Sequence, residues 1–263
     1  MKFGACIGLR LENYDQAKHL TEQGFDYIET NMATIYEMSD EEVDTLAKRM
    51  QEDGVHLHSA NCMFPGWIFE NGIHLIGPES SIEWQNEFLD KVYPRCQKLG
   101  LKTIVFGSGK QRRIPDGMDP KEGYTALLEV GRRIAEKAAE YGITLVLEPL
   151  NYTETNCFNR VGEGYAFMKE VNRPGMKLLA DVYHMYANGE APELPAEYVK
   201  ELHHIHLAQP ETREQPSELT PYFTAFAENL KKNGYDGYAS VEARGSMNAK
   251  EKQILDVVKA LFN

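Results

Sequence analysis

Four residues, Glu148, Asp181, His206 and Glu242, stand at or next to the ends of short apolar runs, Ile143–Glu148, Met176–Asp181, His204–Leu207 and Tyr238–Glu242. A carboxylate at the edge of a buried run loses hydration and needs positive charge nearby. Period-two counting puts Thr144, Val146 and Glu148 on one side of their strand, His204 and His206 on one side of theirs, and Ser240 and Glu242 on one side of a third. If those sides share an interior, three carboxylates and an imidazole converge. Such carboxylates repel and raise one another's pKa, whereas a divalent cation turns the repulsion into attraction. The donor set suits one divalent ion, manganese foremost, with magnesium or cobalt acceptable. Zinc fits less well, since a structural zinc would want thiolates or several histidines. Taken singly, each residue has an ordinary reading as a helix cap or an ion-pair partner; the set of four carries the metal reading.

Convergence requires a fold that gathers strand ends. Candidate strands lie at Phe3–Ile7, Tyr27–Thr30, Val55–Ser59, Thr103–Phe106, Ile143–Glu148, Met176–Asp181, His204–Leu207 and Tyr238–Glu242. Segments of helical periodicity lie between and after them, at 13–23, 40–52, 81–99, 121–141, 161–172, about 195–202, 219–232 and 248–262. Several strands are announced by a glycine that ends the preceding helix, as in EQGFDYIE, EDGVHLH, KLGLKTIVF and EYGITLVLE. Strict alternation implies a parallel sheet, and eight strands close a barrel, so the expected architecture is a single (β/α)8 barrel over residues 1–263. The long irregular stretches 60–80, 107–120, 149–160 and 208–218 all follow strands, which places them over the catalytic face of such a barrel.

Composition bounds the partners. The formal net charge of −12 disfavours nucleic acid and anionic membrane surfaces, both of which need a basic face. Cys6, Cys62, Cys96 and Cys157 are widely spaced without a CxxC pair, as expected in a reducing cytoplasm. The apolar part of the amino terminus is too short for a secretory signal, and no stretch approaches the ~20 apolar residues that cross a bilayer.

The segments LEPLNYTE, LLADVYHM, HIHLAQPETR and SVEA resemble the motifs of the xylose-isomerase-like TIM barrels, in particular the group of ketose 3-epimerases, hydroxypyruvate isomerases and inosose dehydratases or isomerases. The resemblance implies that Glu148, Asp181, His206 and Glu242 bind one divalent ion, and that His184, Arg213 and Glu154 contact a small sugar or keto-polyol substrate. The alignment reaches Arg213 from His206 only with a gap.

A proton α to a carbonyl is weakly acidic, and its removal gives an enediolate whose charge must be stabilised at once, which a chelated cation does. Glu148 and Glu242 could flank the carbon, one removing the proton and the other returning it. Return to the same carbon from the opposite face is epimerisation, return to its neighbour is isomerisation, and loss of a β-hydroxyl is dehydration. The same residues serve all three.

Other signals are weaker. His56 and His58 alternate on the third strand and are expected to point inward, as Glu29 does on the second. For His58 and Glu29 the choice lies between contact with the substrate or the ligands and an ordinary buried histidine–carboxylate pair. GSGKQRR, residues 107–113, lacks the GxxxxGK[ST] spacing of a phosphate loop; Lys110, Arg112 and Arg113 read as a solvated basic loop before an anion site. Trp67 and Phe69 would line the sugar pocket, seal the barrel mouth, or form a subunit contact in a homo-oligomer. Asn151-Tyr152-Thr153 has the form of a glycosylation sequon, but nothing suggests secretion. Two rival functions use the same barrel. An apurinic-site endonuclease needs extra histidines after the fourth and seventh strands, where the chain reads VFGSGK and AQPETREQP. A noncatalytic sugar-binding subunit has no need of the full quartet.

Overall fold

Eight short strands wind into a closed parallel barrel in sequence order: β1 Lys2–Cys6, β2 Tyr27–Asn31, β3 Leu57–Asn61, β4 Thr103–Phe106, β5 Thr144–Leu147, β6 Met176–Asp181, β7 Leu202–Leu207 and β8 Tyr238–Val241. The computed structural model describes residues 1–66, 74–247 and 249–262; Trp67 and Phe69 lie outside them. Closure is made by β1 pairing with β8, with Gly4 opposite Ser240 and Ala5 opposite Val241.

Helices return the chain from each strand to the next, the longest being Pro120–Glu140 and Ile82–Lys98. Local chemistry sets their ends. Ser39 and Glu42 form a reciprocal capping box at the start of Asp40–Asp53, and Gly54, with φ of 68°, ends it in the left-handed conformation expected of the glycine in EDGVHLH. Among the fully described helices, two were not foreseen, Met32–Glu37 and Val182–Ala187. Both are under two turns long and start directly from a strand end, where Asn31 and Asp181 cap them, so neither shows enough helical periodicity to be recognised. Among the described residues no helix is long and apolar enough to cross a membrane.

The apolar core has two parts. The larger fills the space between the barrel and its helices, while Val105, Val146 and Leu179 form a separate, fully buried cluster. Val146 shares a strand side with Glu148, and Leu179 shares one with Asp181, so this cluster is the apolar layer beneath the acidic strand ends. Gly4 admits another interior group: a Cβ there would lie 2.2 Å from the Tyr27 ring, whose hydroxyl is 2.9 Å from Ser240 Oγ.

β3 and β7 each carry a register shift. Leu57 pairs with Ile28 but Ser59 with Glu29, and Leu202 pairs with Leu178 but His204 with Leu179, leaving His58 and His203 as the unpaired residues. Both imidazoles turn to Thr103 Oγ1, at 3.3 and 3.1 Å, and His58 stacks on Tyr238 with ring centroids 3.8 Å apart. His58 therefore belongs to the floor of the barrel rather than to the ring of strand ends. Of the two readings left open for His58, contact with the substrate or the ligands and an ordinary buried histidine, this placement favours the buried histidine; the bulge, invisible to period-two counting, is the cause. His56 precedes the strand and is exposed, so its expected inward orientation is corrected.

Candidate metal centre and active site

The carboxyl ends of β5 to β8 bring Glu148, Asp181, His206 and Glu242 together, each offering a ligand atom within 4.8 Å of the others. Glu148 is the first residue past β5, and its backbone N–H still reaches the Phe106 carbonyl of β4 at 3.3 Å. Glu242 likewise follows β8 and donates its N–H to Leu207 of β7 at 3.0 Å. Both carboxylates thus hang from backbone still tied to the barrel.

His206 Nδ1 faces the group: Glu148 Oε1 at 2.9 Å, Glu242 Oε2 at 3.4 Å and Asp181 Oδ2 at 3.8 Å. Its Nε2 points the other way, 3.0 Å from Glu29 Oε1. Glu29 is fully buried and accepts at its second oxygen from Ser59 (2.7 Å), Ser240 (2.6 Å) and His204 (2.9 Å). Glu29 therefore lies beneath the ligand ring and orients its imidazole.

Burial opposes charge on every member, and the neighbours decide the outcome. For His206 the carboxylates of Glu242, Glu29 and Glu148 outweigh burial and hold the imidazole well above its ordinary pKa. Burial, then Glu148, push Asp181 up to about 7, against the pull of His206. Burial also raises Glu148, whereas for Glu242 the His206 and Arg213 charges overcome it and bring the carboxyl down to about 2.

The donors fit a divalent cation. Asp181 Oδ1 accepts from the His184 N–H at 2.9 Å, but among the described residues Oδ2 is buried without a hydrogen-bond partner. An orphaned carboxylate oxygen aimed at two other carboxylates is costly unless a cation meets it. Cys6, Glu29, His206 and Glu242 form an overlapping group, but both Glu29 oxygens are already occupied by donors, which favours the first set.

Above the ring stand the three residues expected to contact substrate. Arg213 bridges Glu154 Oε1 at 3.1 Å and Glu242 Oε2 at 3.3 Å, and its guanidinium lies 4.9 Å from the centre of the Tyr183 ring. Its φ of 60° is a left-handed conformation unusual for a non-glycine residue, at the turn that aims this side chain inward. His184 sits in the first turn of the helix capped by Asp181, so one aspartate both joins the quartet and fixes the imidazole three residues on. The backbone N–H of Asn151 donates to His184 Nδ1 at 3.1 Å, which leaves the proton on Nε2, buried and without a partner. Burial and then Arg213 depress His184 to about 3, keeping it neutral.

A cavity of ≈ 580 Å³ opens over these groups, lined among others by Cys62, Phe64, Leu150, Glu154 and Arg213. A larger groove of ≈ 760 Å³ along helix Glu251–Phe262 lies outside the barrel and holds no such ligand set, so size does not locate the chemistry. Sequence reasoning missed Asn61, which donates to Glu242 Oε1 at 2.8 Å, although an amide in the strand-end position of β3 was a usable signal. It also missed the part played by Arg112.

Residues 17–262 match the model of the xylose isomerase-like TIM barrel family. D-psicose 3-epimerase of Agrobacterium fabrum is 28% identical over a stretch covering 62% of this chain and 55% of that protein. 3-Dehydro-D-guloside 4-epimerase of Escherichia coli is 24% identical over 88% of this chain and 86% of the relative. Among solved structures, D-psicose 3-epimerase with D-tagatose from Clostridium cellulolyticum superposes with a TM-score of 0.80 at 20% identity, covering 100% of both chains. With its closed eight-stranded barrel and nearly its whole length matched, this chain belongs to the xylose isomerase-like TIM barrel family.

Proposed function

We propose that the protein is a divalent-metal-dependent sugar isomerase or epimerase that acts on a ketose or related keto-polyol by moving a proton α to its carbonyl. It is an enzyme, and the observation that carries the reading is the orphaned Asp181 Oδ2 set among Glu148, Glu242 and His206 Nδ1. The activities of the two relatives named above, both epimerases of sugars, support it.

Glu148, Asp181, Glu242 and His206 Nδ1 would hold the ion, with manganese favoured by three oxygens and one imidazole. When bound, the ion withdraws electron density from the substrate's carbonyl and adjacent hydroxyl and so acidifies the α C–H. The remaining steps belong to the chain. One of Glu148 and Glu242 takes the α proton as the C–H electron pair enters the enediolate, and the other, protonated at the start, delivers its own proton as the pair goes back to carbon; the two carboxyls are left with exchanged protonation and reset by proton exchange with solvent. Delivery to the other face inverts that carbon. His184 Nε2–H donates to a substrate oxygen, since among the described residues it has no other acceptor. Arg213 holds Glu154 and Glu242 in place and offers its remaining donors to substrate hydroxyls. Free cysteines throughout suit a reducing, cytoplasmic setting.

Incubation of the manganese-loaded protein with D-psicose, D-tagatose and related ketoses in heavy water, followed by NMR and mass spectrometry, tests the reading. Deuterium at the α carbon of an epimer, or at the adjacent carbon of an aldose, supports proton transfer. Loss of water makes the protein a dehydratase. Isomerisation with full retention of hydrogen, once internal proton return is excluded, points to a hydride shift, and sugar binding without turnover points to a noncatalytic subunit.

A further inference from the structure

The segment GSGKQR, residues 107–112, follows β4, and the proton transfer above gives it no task. Its last residue is the anomaly. Arg112 is fully buried, yet its guanidinium meets backbone carbonyls rather than a carboxylate: Nη1 donates to Phe106 O at 2.8 Å and Nη2 to Glu148 O at 2.9 Å. The rings of Phe106 and Phe158 flank it at 5.8 and 5.6 Å. Among the described residues no carboxylate forms a direct ion pair with it, and a buried guanidinium without one is expensive. What this one does is tie the last carbonyl of β4, which also accepts from the Glu148 N–H at 3.3 Å, to the carbonyl of Glu148 just past the end of β5.

The first residue of the segment works on the same glutamate. A Cβ on Gly107 would lie 2.4 Å from Glu148 Oε2 and 3.6 Å from its carboxyl carbon, so the carboxylate occupies the space any side chain would need. Gly109 repeats the arrangement one step on, where a Cβ would come within 2.9 Å of Glu154 O and 2.8 Å of Leu150 Cδ1. Ser108, at φ of 40°, joins the two and accepts from Phe64 N–H at 2.9 Å.

We propose that GSGKQR is the positioning device for Glu148, with Gly107 shaping the space that fixes the carboxylate and Arg112 clamping the backbone that carries it. The inference rests on the reading of Glu148 as metal ligand and proton carrier and adds the residues that hold it to geometry. The requirement is strict, because a displacement of about 1 Å at a reacting group can lower the rate by about 10²-fold.

Two variants of the full-length protein test it, Gly107→Ala and Arg112→Lys, with manganese as probe. In Gly107→Ala the crystal structure should show the Glu148 carboxylate displaced, and manganese affinity by calorimetry should fall about 10-fold or more, in the range seen when supporting residues of metal ligands are changed. Its kcat on D-psicose should fall about 10²-fold with KM changed less than about threefold. The thermal midpoint of the metal-free protein should stay within a few degrees, which separates positioning from a general loss of structure. Arg112→Lys keeps the charge but cannot span two carbonyls with a planar fork, so manganese affinity should fall there too, and this variant carries the test if Gly107→Ala does not fold. Glu148 unmoved with wild-type manganese affinity in either variant would overturn the proposal. If the wild-type protein itself binds no manganese, the functional reading fails, and the position of Glu148 in the variant crystals still decides the positioning role.

Discussion

His206 is held by two glutamates through opposite ring nitrogens, Glu29 Oε1 at 3.0 Å from Nε2 and Glu148 Oε1 at 2.9 Å from Nδ1. Both contacts require a proton on the ring nitrogen, so the imidazole stands protonated; Glu29 keeps the Nε2 proton, and the Nδ1 proton is the one a cation would displace. Glu29→Gln leaves a weaker acceptor that can also turn its amide toward the ring. Manganese affinity should fall about 10- to 100-fold with little change in far-UV circular dichroism. Unaltered affinity by calorimetry would remove Glu29 from the support of this ligand.

Asp181→Asn separates metal binding from folding. Removing a buried carboxylate oxygen that has no hydrogen-bond partner among the described residues takes away a desolvation penalty in the metal-free protein. The metal-free variant should therefore unfold at the same temperature as wild type or higher, while the rise in melting temperature on adding manganese disappears. A variant still stabilised by manganese as strongly as wild type would exclude Asp181 as a ligand.

His184→Ala should separate binding of substrate from binding of metal. The link from His184 to Asp181 is made by the backbone N–H, which the substitution keeps, so manganese affinity should change less than about threefold. The lost Nε2–H donor should lower kcat/KM by about 10²-fold. Steady-state kinetics beside calorimetry checks both, and loss of the metal would show that His184 had been misassigned.

The barrel floor predicts an acid-sensitive stability. Burial, then the neighbouring His204, depress His58 to about 3 and His203 to about 4, with Glu29 opposing the shift at His58 and Lys102 and Lys177 adding to it. Both folded-state values lie below the ordinary 6.5, so the unfolded chain binds protons that the folded chain refuses. Their contribution is constant above about pH 6.5 and is lost as the pH falls from there toward 4, by at most about 1.4 kcal/mol per pH unit for each imidazole. Urea unfolding at pH 7, 6 and 5 should show a shallower decline in His58→Gln/His203→Gln than in wild type. Equal slopes would place the acid sensitivity elsewhere.

Much of the site is legible along the chain because a strand's two-residue period is a local property. Once β5, β7 and β8 are located, the sides bearing Glu148, His206 and Glu242 follow, and alternation with helices makes a closed barrel the fold that gathers them. The same logic fails at His58 and His203, because a bulge arises from pairing with the neighbouring strand and leaves no mark on the strand's own composition.

What only the tertiary structure decided are the relations between residues far apart in sequence. Glu29 reads as one more buried glutamate until the barrel closes and brings His204, His206, Ser59 and Ser240 to its two oxygens. Arg112 reads as part of a solvated basic loop, since charge and local spacing say nothing about two carbonyls, one ending β4 and one just past β5, that the fold brings to its guanidinium. Gly107 reads only as the first residue of that loop, although its use is the empty volume into which the glutamate following the next strand fits. Sequence determined which groups could do chemistry because side-chain type and strand period belong to each segment alone. Their distances, the ring nitrogen that faces the ligands and the supports beneath them depend on register and close packing between segments, which exist only once the barrel has closed.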